Sequence, residues 1–177
     1  MNEEDVEQKA SSKSVKQNRQ AKSSRKTLNG SETVMRFLVM VKGNRDYEAG
    51  AMPSEQELAE MGKFNDELVK AGVMLAGEGL QPSAKGARIS YSGGKRTVRD
   101  GPFTEAKELV AGFWIWQVKS RPEALEWAKR IPFKDGEVEI RQIFEAEDFG
   151  VEFTPELRQQ EERQRAAIAK NKQRAGK

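Results

Sequence analysis

Asp100, Glu105, Lys107 and Glu108 place three carboxylates and an ammonium within a few residues of the turn Asp100-Gly101-Pro102-Phe103. A carboxylate beside a cation can act as an acid or base, or can anchor a polar ligand, and burial and the cation set its pKa. Asp100 is the candidate catalytic group. Two further charges belong to the same chemistry. Glu78 stands between Gly77 and Gly79, where small residues leave room for a ligand or another backbone beside a carboxylate. Arg141, with Lys107, can fix a carboxylate or phenolate. With Trp114, the ligand-binding set is Glu78, Glu105, Lys107, Trp114 and Arg141. The plainer alternative is a tight turn with solvated charges, or an ion pair pinning that turn to a sheet. Asp-Gly-Pro is turn chemistry in its own right.

The elements that would hold these groups follow from periodicity. Met35 to Lys42 is apolar on both alternating sets, so it reads as a central strand covered on both sides. Gly43 to Met52 reads as a polar loop. Ser54 to Ala71 reads as a helix opened by the capping-box pattern Ser54-x-x-Glu57 and closed by Gly72, with Leu58, Met61, Phe64, Leu68 and Val69 on its inner stripe. Val73 to Leu80 is a second strand. Ala87–Ser92 and Lys95–Arg99, joined by Gly93-Gly94, predict a hairpin with basic residues Arg88, Lys95, Arg96 and Arg99. Leu109 to Val118 is a third long strand, with Val110, Trp114, Trp116 and Val118 on one side and Phe113 and Ile115 on the other. A helix follows Ser120-Arg121-Pro122-Glu123 to about Ile131, with Pro132 as its stop. Gly136 to Glu145 is the last strand; Val138, Ile140 and Phe144 share one face, and Arg141 points to the other from near the sheet's middle. Thr154-Pro155 opens a polar C-terminal helix.

Strand, helix, strand, hairpin, strand, helix, strand is the pattern of an α+β, ferredoxin-like sandwich. One layer of helices covers one face of such a sheet. Two strands apolar on both sides therefore call for a second cover, most simply another subunit, and a homodimer is expected.

Composition limits the chemistry and the surroundings. The chain of 177 residues has no His and no Cys, so it lacks the commonest general base near neutral pH, a cysteine nucleophile, a thiolate metal site and any disulfide. No metal and no cofactor is expected, and Gly93-Gly94 is not a phosphate loop because no Gly-x-x-x-x-Gly-Lys pattern accompanies it. No run of about 18 apolar residues spans a membrane, and the N-terminus has no apolar signal core, which predicts a cytoplasmic protein. The formal charge of +3 comes from the ends. Residues 33–155 hold 17 Lys+Arg against 20 Asp+Glu, residues 1–32 hold 7 against 5, and residues 156–177 hold 7 against 3. Three segments follow: a disordered basic extension at 1–33, a domain at 34–149 and a charged tail at 150–177.

Asp100-Gly101-Pro102-Phe103 with Glu105 and Lys107 resembles the signature of the DGPF type of the YCII-related family. Met35 to Val41, Ala71-Gly72-Val73, Gly77 to Pro82, Gly112-Phe113-Trp114, Glu123 to Ala128 and Glu137 to Arg141 resemble its other blocks in order, covering about residues 34 to 146. The resemblance implies a ferredoxin-like sandwich whose sheets pack face to face between two subunits as a dimeric α/β barrel. Some members work through a His-Asp pair, one as a dehydrochlorinase of a chlorinated hydroxyquinol; a chain with no His departs from that pattern. Two function classes remain. One is a protein of unassigned reaction that binds a small polar molecule beside the DGPF turn. The other is a regulatory interaction module whose basic ends contact nucleic acid or a protein partner.

Overall fold

The computed structural model describes residues 34–104 and 108–175. Its elements are β1 (Met35–Lys42), α1 (Arg45–Glu48), α2 (Glu55–Lys70), β2 (Met74–Gly79), β3 (Ala87–Ser92), β4 (Lys95–Asp100), β5 (Val110–Val118), α3 (Arg121–Ala128), β6 (Val138–Gln142) and α4 (Pro155–Ala175), with 3₁₀ segments at Ser83–Lys85 and Ala146–Glu152. The expected basic extension at 1–33 lies outside the described residues.

β2, β5, β1 and β6 form one sheet in that order, and every pairing is antiparallel. The fold is α+β, and this strand order is compatible with a ferredoxin-like sandwich. β3 and β4 make a separate two-stranded ribbon. Gly93 and Gly94 both take positive φ (53° and 79°), the backbone of the tight hairpin turn that glycines favour.

Alternation along the strands sorts the sheet into two faces. Phe37, Val39, Trp114, Trp116 and Val118 point to α2 and α3 and form the core with Phe64, Leu68, Val73, Ala124 and Ile131. Phe64 meets Trp116 edge-on at 6.4 Å. The other face carries Leu38, Met40, Phe113, Ile115 and Ala76, all partly exposed.

Several boundaries differ from the expectations. The segment read as a loop after β1 contains α1, because the Asn44 side chain accepts from the Tyr47 amide (2.8 Å) and caps a single turn. The Ser54–Glu57 capping box forms as expected, with Ser54 N donating to Glu57 Oε2 at 2.8 Å. The inner stripe of α2 is narrower than its five apolar residues suggest. Phe64 and Leu68 are buried, whereas Leu58 and Val69 are 56% and 61% exposed. The contact runs along Met61, Phe64 and Leu68, leaving the flanking positions in solvent. α3 ends at Ala128, earlier than expected, where the chain tightens into turns through Arg130 N to Trp127 O and Ile131 N to Ala128 O. β6 stops at Gln142, so Phe144 does not join Val138 and Ile140. It is 67% exposed and stacks instead on Phe149, at 5.4 Å. β6 is also an edge strand, not a middle one. Thr154 precedes α4 and its Oγ1 accepts from Leu157 N at 3.4 Å. Among the described residues no helix is long and apolar enough to cross a membrane.

Candidate functional site

The antiparallel pairings bring the C-terminal ends of β1 and β2 to the N-terminal ends of β5 and β6. The connections after β1 and β2, and those before β5 and β6, therefore gather at one end of the sheet. α1 sits there and ties that end together. The Tyr47 hydroxyl donates to the carbonyl of Leu80 and lies 3.4 Å from that of Ala111. Glu48 reaches the next loop: its carboxylate accepts from Ser83 N (3.1 Å) and from the Ser83 hydroxyl.

The DGPF turn rests on that same serine. Phe103 N donates to Ser83 Oγ at 3.0 Å, and Gly101 N donates to Gly86 O at 2.9 Å. The peptide between Gly101 and Pro102 is cis. Phe103 then receives two guanidiniums from the ribbon. Arg88 stands 4.1 Å and Arg99 5.7 Å from its ring centre, within cation–π range. So Glu48, Ser83 and Phe103, with Arg88 and Arg99, form the polar and aromatic anchor of the turn. Spacing did not mark Tyr47, Glu48 or Ser83 as site residues. The Asn44 cap ahead of α1 was the one local signal for the first two.

The expected site residues divide among three places. Asp100 ends β4, opposite Ala87, and is exposed. Glu78 lies on edge strand β2 opposite Phe113, exposed on the face away from the helices. Arg141 lies on that same face but at the other edge, on β6 opposite Leu38. Its guanidinium meets Glu139 at 3.7 Å, and Glu139 also takes Lys42 at 2.7 Å. Glu139 and Lys42 therefore belong to this rim, although neither was expected there. Trp114 is on the opposite face, 6% exposed, with its indole N–H donating to Asn65 Oδ1 at 3.0 Å. The space beside Gly77 is taken by Met74 and that indole: a Cβ on Gly77 would lie 2.6 Å from Met74 Cε and 2.7 Å from Trp114 Cδ1. Glu105 and Lys107 lie outside the described residues.

A shallow cleft of about 370 Å³ lies elsewhere, between α3 and β6, lined by Arg121, Leu125, Ala128, Lys129, Val138 and Ile140. None of the expected site residues lines it. Among the described residues no cluster of acidic, His or Cys side chains could hold a metal ion.

The titrating groups near the ordinary range fall into two sets. The hydrogen bond from Lys42 holds Glu139 below its usual carboxylate range. Hydrogen bonds at helix starts, from Ser54 and from Thr154 with the backbone, do the same for Glu57 and Glu156. Burial first, and Glu48 second, push the Tyr47 phenol up, and the hydrogen bond to Glu139 raises Lys42. A lowered carboxylate stabilises the fold above its unfolded pKa and loses that contribution as pH falls through the folded value. A raised phenol or ammonium stabilises below its unfolded pKa and loses that contribution as pH rises through the folded value. With no His in the chain, melting temperature should stay level within about 3 °C from about pH 5.5 to 9 and decline on both sides. Melting curves across pH 3–11 check this; a step near pH 6.5 would contradict it.

The fold defines an α+β protein whose loop end holds the Asp100–Phe103 segment against Ser83 and Gly86. The sequence profile of the YCII-related domain matches residues 35–147, and the chain belongs to that family. An uncharacterised protein of Rhizobium meliloti (strain 1021) is similar to it, 32% identical over 75 residues that cover 42% of this chain. The matched segment spans 60% of that relative's length.

Proposed function

We propose that this YCII-related protein is a homodimer that binds a small polar molecule at the loop end of the sheet, with the two open sheet faces packed together as a dimeric α/β barrel. The observation that carries the reading is the face itself. Leu38, Met40, Phe113, Ile115 and Ala76 form an apolar centre across the strands, and Glu78, Lys42, Glu139 and Arg141 stand at its margins. An apolar centre within a charged rim is the anatomy of a protein interface. Glu78 and Arg141 lie at opposite edges of one face. A second copy related by a two-fold axis would convert an open surface into a cleft lined by both charges. The DGPF turn stands at the end of that cleft, and Asp100 is its acid, base or anchor. Trp114 supports the floor from the core side. Working without His, Asp100 suits a role that one carboxylate performs: holding a cationic or hydroxyl group, or moving a proton to and from a ligand atom.

Thermal melting of the wild type and of Asp100→Asn against a metabolite library tests the site. A ligand at 100 times its Kd stabilises the native state by about 2.7 kcal/mol. Such a rise is expected for the wild type and is expected to be absent in Asp100→Asn. Asp100 is exposed and its substitution removes no core contact, so the variant should fold with an unchanged melting temperature in the absence of ligand. Equal ligand shifts in both proteins would move the site away from the turn.

A further inference from the structure

The main sheet ends on β2 at one side and on β6 at the other. The two edges differ. The β2 ladder is irregular between Met74 and Ala76, whereas β6 keeps an unbroken register with β1 from Val138 to Gln142. The bonds at the two ends of β6 fix which of its groups turn outward. Lys42 N donates to Glu137 O at 3.0 Å, and Ile143 N donates to Arg36 O at 2.8 Å. Bonded and non-bonded pairs alternate along an antiparallel ladder, so Glu139 and Arg141 bond to β1 as Glu137 and Ile143 do. Val138, Ile140 and Gln142 therefore turn their N–H and C=O groups away from the sheet. No Pro or Gly interrupts this edge.

Val138 and Ile140 also line the shallow cleft beside α3. The opposite wall is Arg121, Leu125, Ala128 and Lys129, which share one stripe of the helix by their spacing. Ala128, Val138 and Ile140 pack against the core, so the floor of the cleft is apolar. Arg121 and Lys129 are exposed at its margins, and no carboxylate is among the lining residues. Lys129 meets Glu126 at 2.7 Å, but both side chains are exposed and such a pair holds little.

We infer that the β6 edge is a strand-addition site: an extended acidic peptide segment pairs antiparallel with β6 as a fifth strand of the sheet and sets alternate side chains into the cleft beside α3. The outward N–H and C=O groups select an extended backbone. Residues of that segment opposite Val138, Ile140 and Gln142 project to the helix side. The apolar floor selects an aliphatic side chain among them, and the two cations select an acid on each side of it. Arg121 and Lys129 are eight residues apart, about 12 Å along a helix, and residues i and i+4 of a strand are about 13 Å apart. The pattern that fits is acid-x-aliphatic-x-acid. Charge also argues against a second copy as the occupant. On its helix side β6 offers Val138, Ile140 and Gln142, so a copy paired edge to edge through β6 would leave both cations unmet. The cleft lies on the helix side of the sheet, away from the open face, so the inference stands apart from the dimer reading.

The probe is the end-blocked peptide Thr-Glu-Thr-Ile-Thr-Glu-Thr, titrated into the full chain by calorimetry and followed by amide exchange in NMR spectra. With the peptide bound, the amides of Ile140 and Gln142 should exchange at least about tenfold more slowly, and those of Glu139 and Arg141 should slow by less than about threefold. Methylating the backbone nitrogen of the probe's isoleucine removes a ladder bond and should weaken binding about tenfold. Lys in place of both Glu residues of the probe should weaken it by at least as much, and Arg121→Glu with Lys129→Glu should reverse that preference. Both positions are exposed, so circular dichroism should show the double variant folded. A chain that binds no probe at millimolar concentration overturns the site. Binding that survives the N-methylation, or slowed exchange without the alternation, also overturns it and makes the cleft a pocket for a small ligand. Equal binding of the Glu and Lys probes overturns the acidic partner. Ile140 and Gln142 amides that are already slow in the free wild type and fast in Ile115→Glu would give the edge to a dimer interface, which overturns this inference and leaves the sheet-face reading standing.

Discussion

Gly101→Ala should destabilise the folded protein by about 3 kcal/mol, a loss of roughly 10 °C in melting temperature for a domain of this size. The reason is local and steric. A Cβ at position 101 would sit 2.6 Å from the carbonyl carbon of Ser83, closer still to its oxygen, and 3.2 Å from the amide nitrogen of Ala84. These are backbone atoms, so no side-chain rotation relieves the contact. Ser83 is itself held by Glu48 and by the Phe103 amide. To admit a methyl group, the 83–86 segment must move away from the turn. That movement breaks the Gly101 N to Gly86 O bond and the Phe103 N to Ser83 Oγ bond together. Gly79→Ala is the control: no atom lies within 4 Å of its Cβ position, and its melting temperature should fall by less than about 2 °C. Chemical denaturation of both variants checks the difference. A Gly101→Ala protein as stable as Gly79→Ala would mean that the turn is not clamped to Ser83. The glycine of the turn is thus required by a neighbouring backbone and not by its own φ, which lies outside the left-handed range, and the acid beside it inherits a fixed base.

Most of the main sheet was legible in the sequence because its signals are local. β1 and β5 are apolar on both alternating sets, and they occupy the two central positions. The Ser54–Glu57 box starts its helix with both reciprocal bonds. The second box is met differently: Ser120 Oγ accepts from Glu123 N, but the Glu123 carboxylate turns back one residue further, to Lys119 N. What the sequence hid depends on distant partners. Arg141 was expected near the middle of the sheet; strand order, which periodicity does not encode, puts it at an edge. Gly77 has the look of space kept for a ligand, yet Met74 and the indole of Trp114, 37 residues later in the chain, fill it. At the DGPF turn the sequence marks Asp100 as the candidate acid and Gly101 as the turn residue. It does not mark the support of that turn: Glu48, Ser83 and Phe103 come from three separated segments, and their bonds span 35 and 20 positions. Such contacts follow from topology, and no spacing rule finds them.

Ile115→Glu should leave the subunit folded and abolish the proposed dimer, raising its dissociation constant by roughly 10⁴- to 10⁷-fold. Ile115 lies between Ala76 on β2 and Leu38 on β1, at the centre of the face away from the helices. In a free subunit a carboxylate there stays hydrated. Both cross-strand partners are uncharged, so it meets no like charge directly opposite. The core on the other face, from Phe37 to Trp116, loses nothing. In a face-to-face dimer the same carboxylate would be taken out of water, and the two-fold axis would do this twice. An unpaired buried charge costs about 3–5 kcal/mol, which is the source of the expected fold-change. Sedimentation equilibrium of the wild type and the variant over a concentration range gives the answer. A dimeric wild type with a monomeric, normally folded Ile115→Glu protein places the interface on the sheet. A variant that dimerises as tightly as the wild type would remove that face from the interface, and with it the cleft between Glu78 and Arg141. The same preparation decides how far the ligand site depends on assembly. If the cleft is made by two copies, the ligand-induced rise in melting temperature lost in Asp100→Asn should also be lost in Ile115→Glu, although Asp100 itself is untouched.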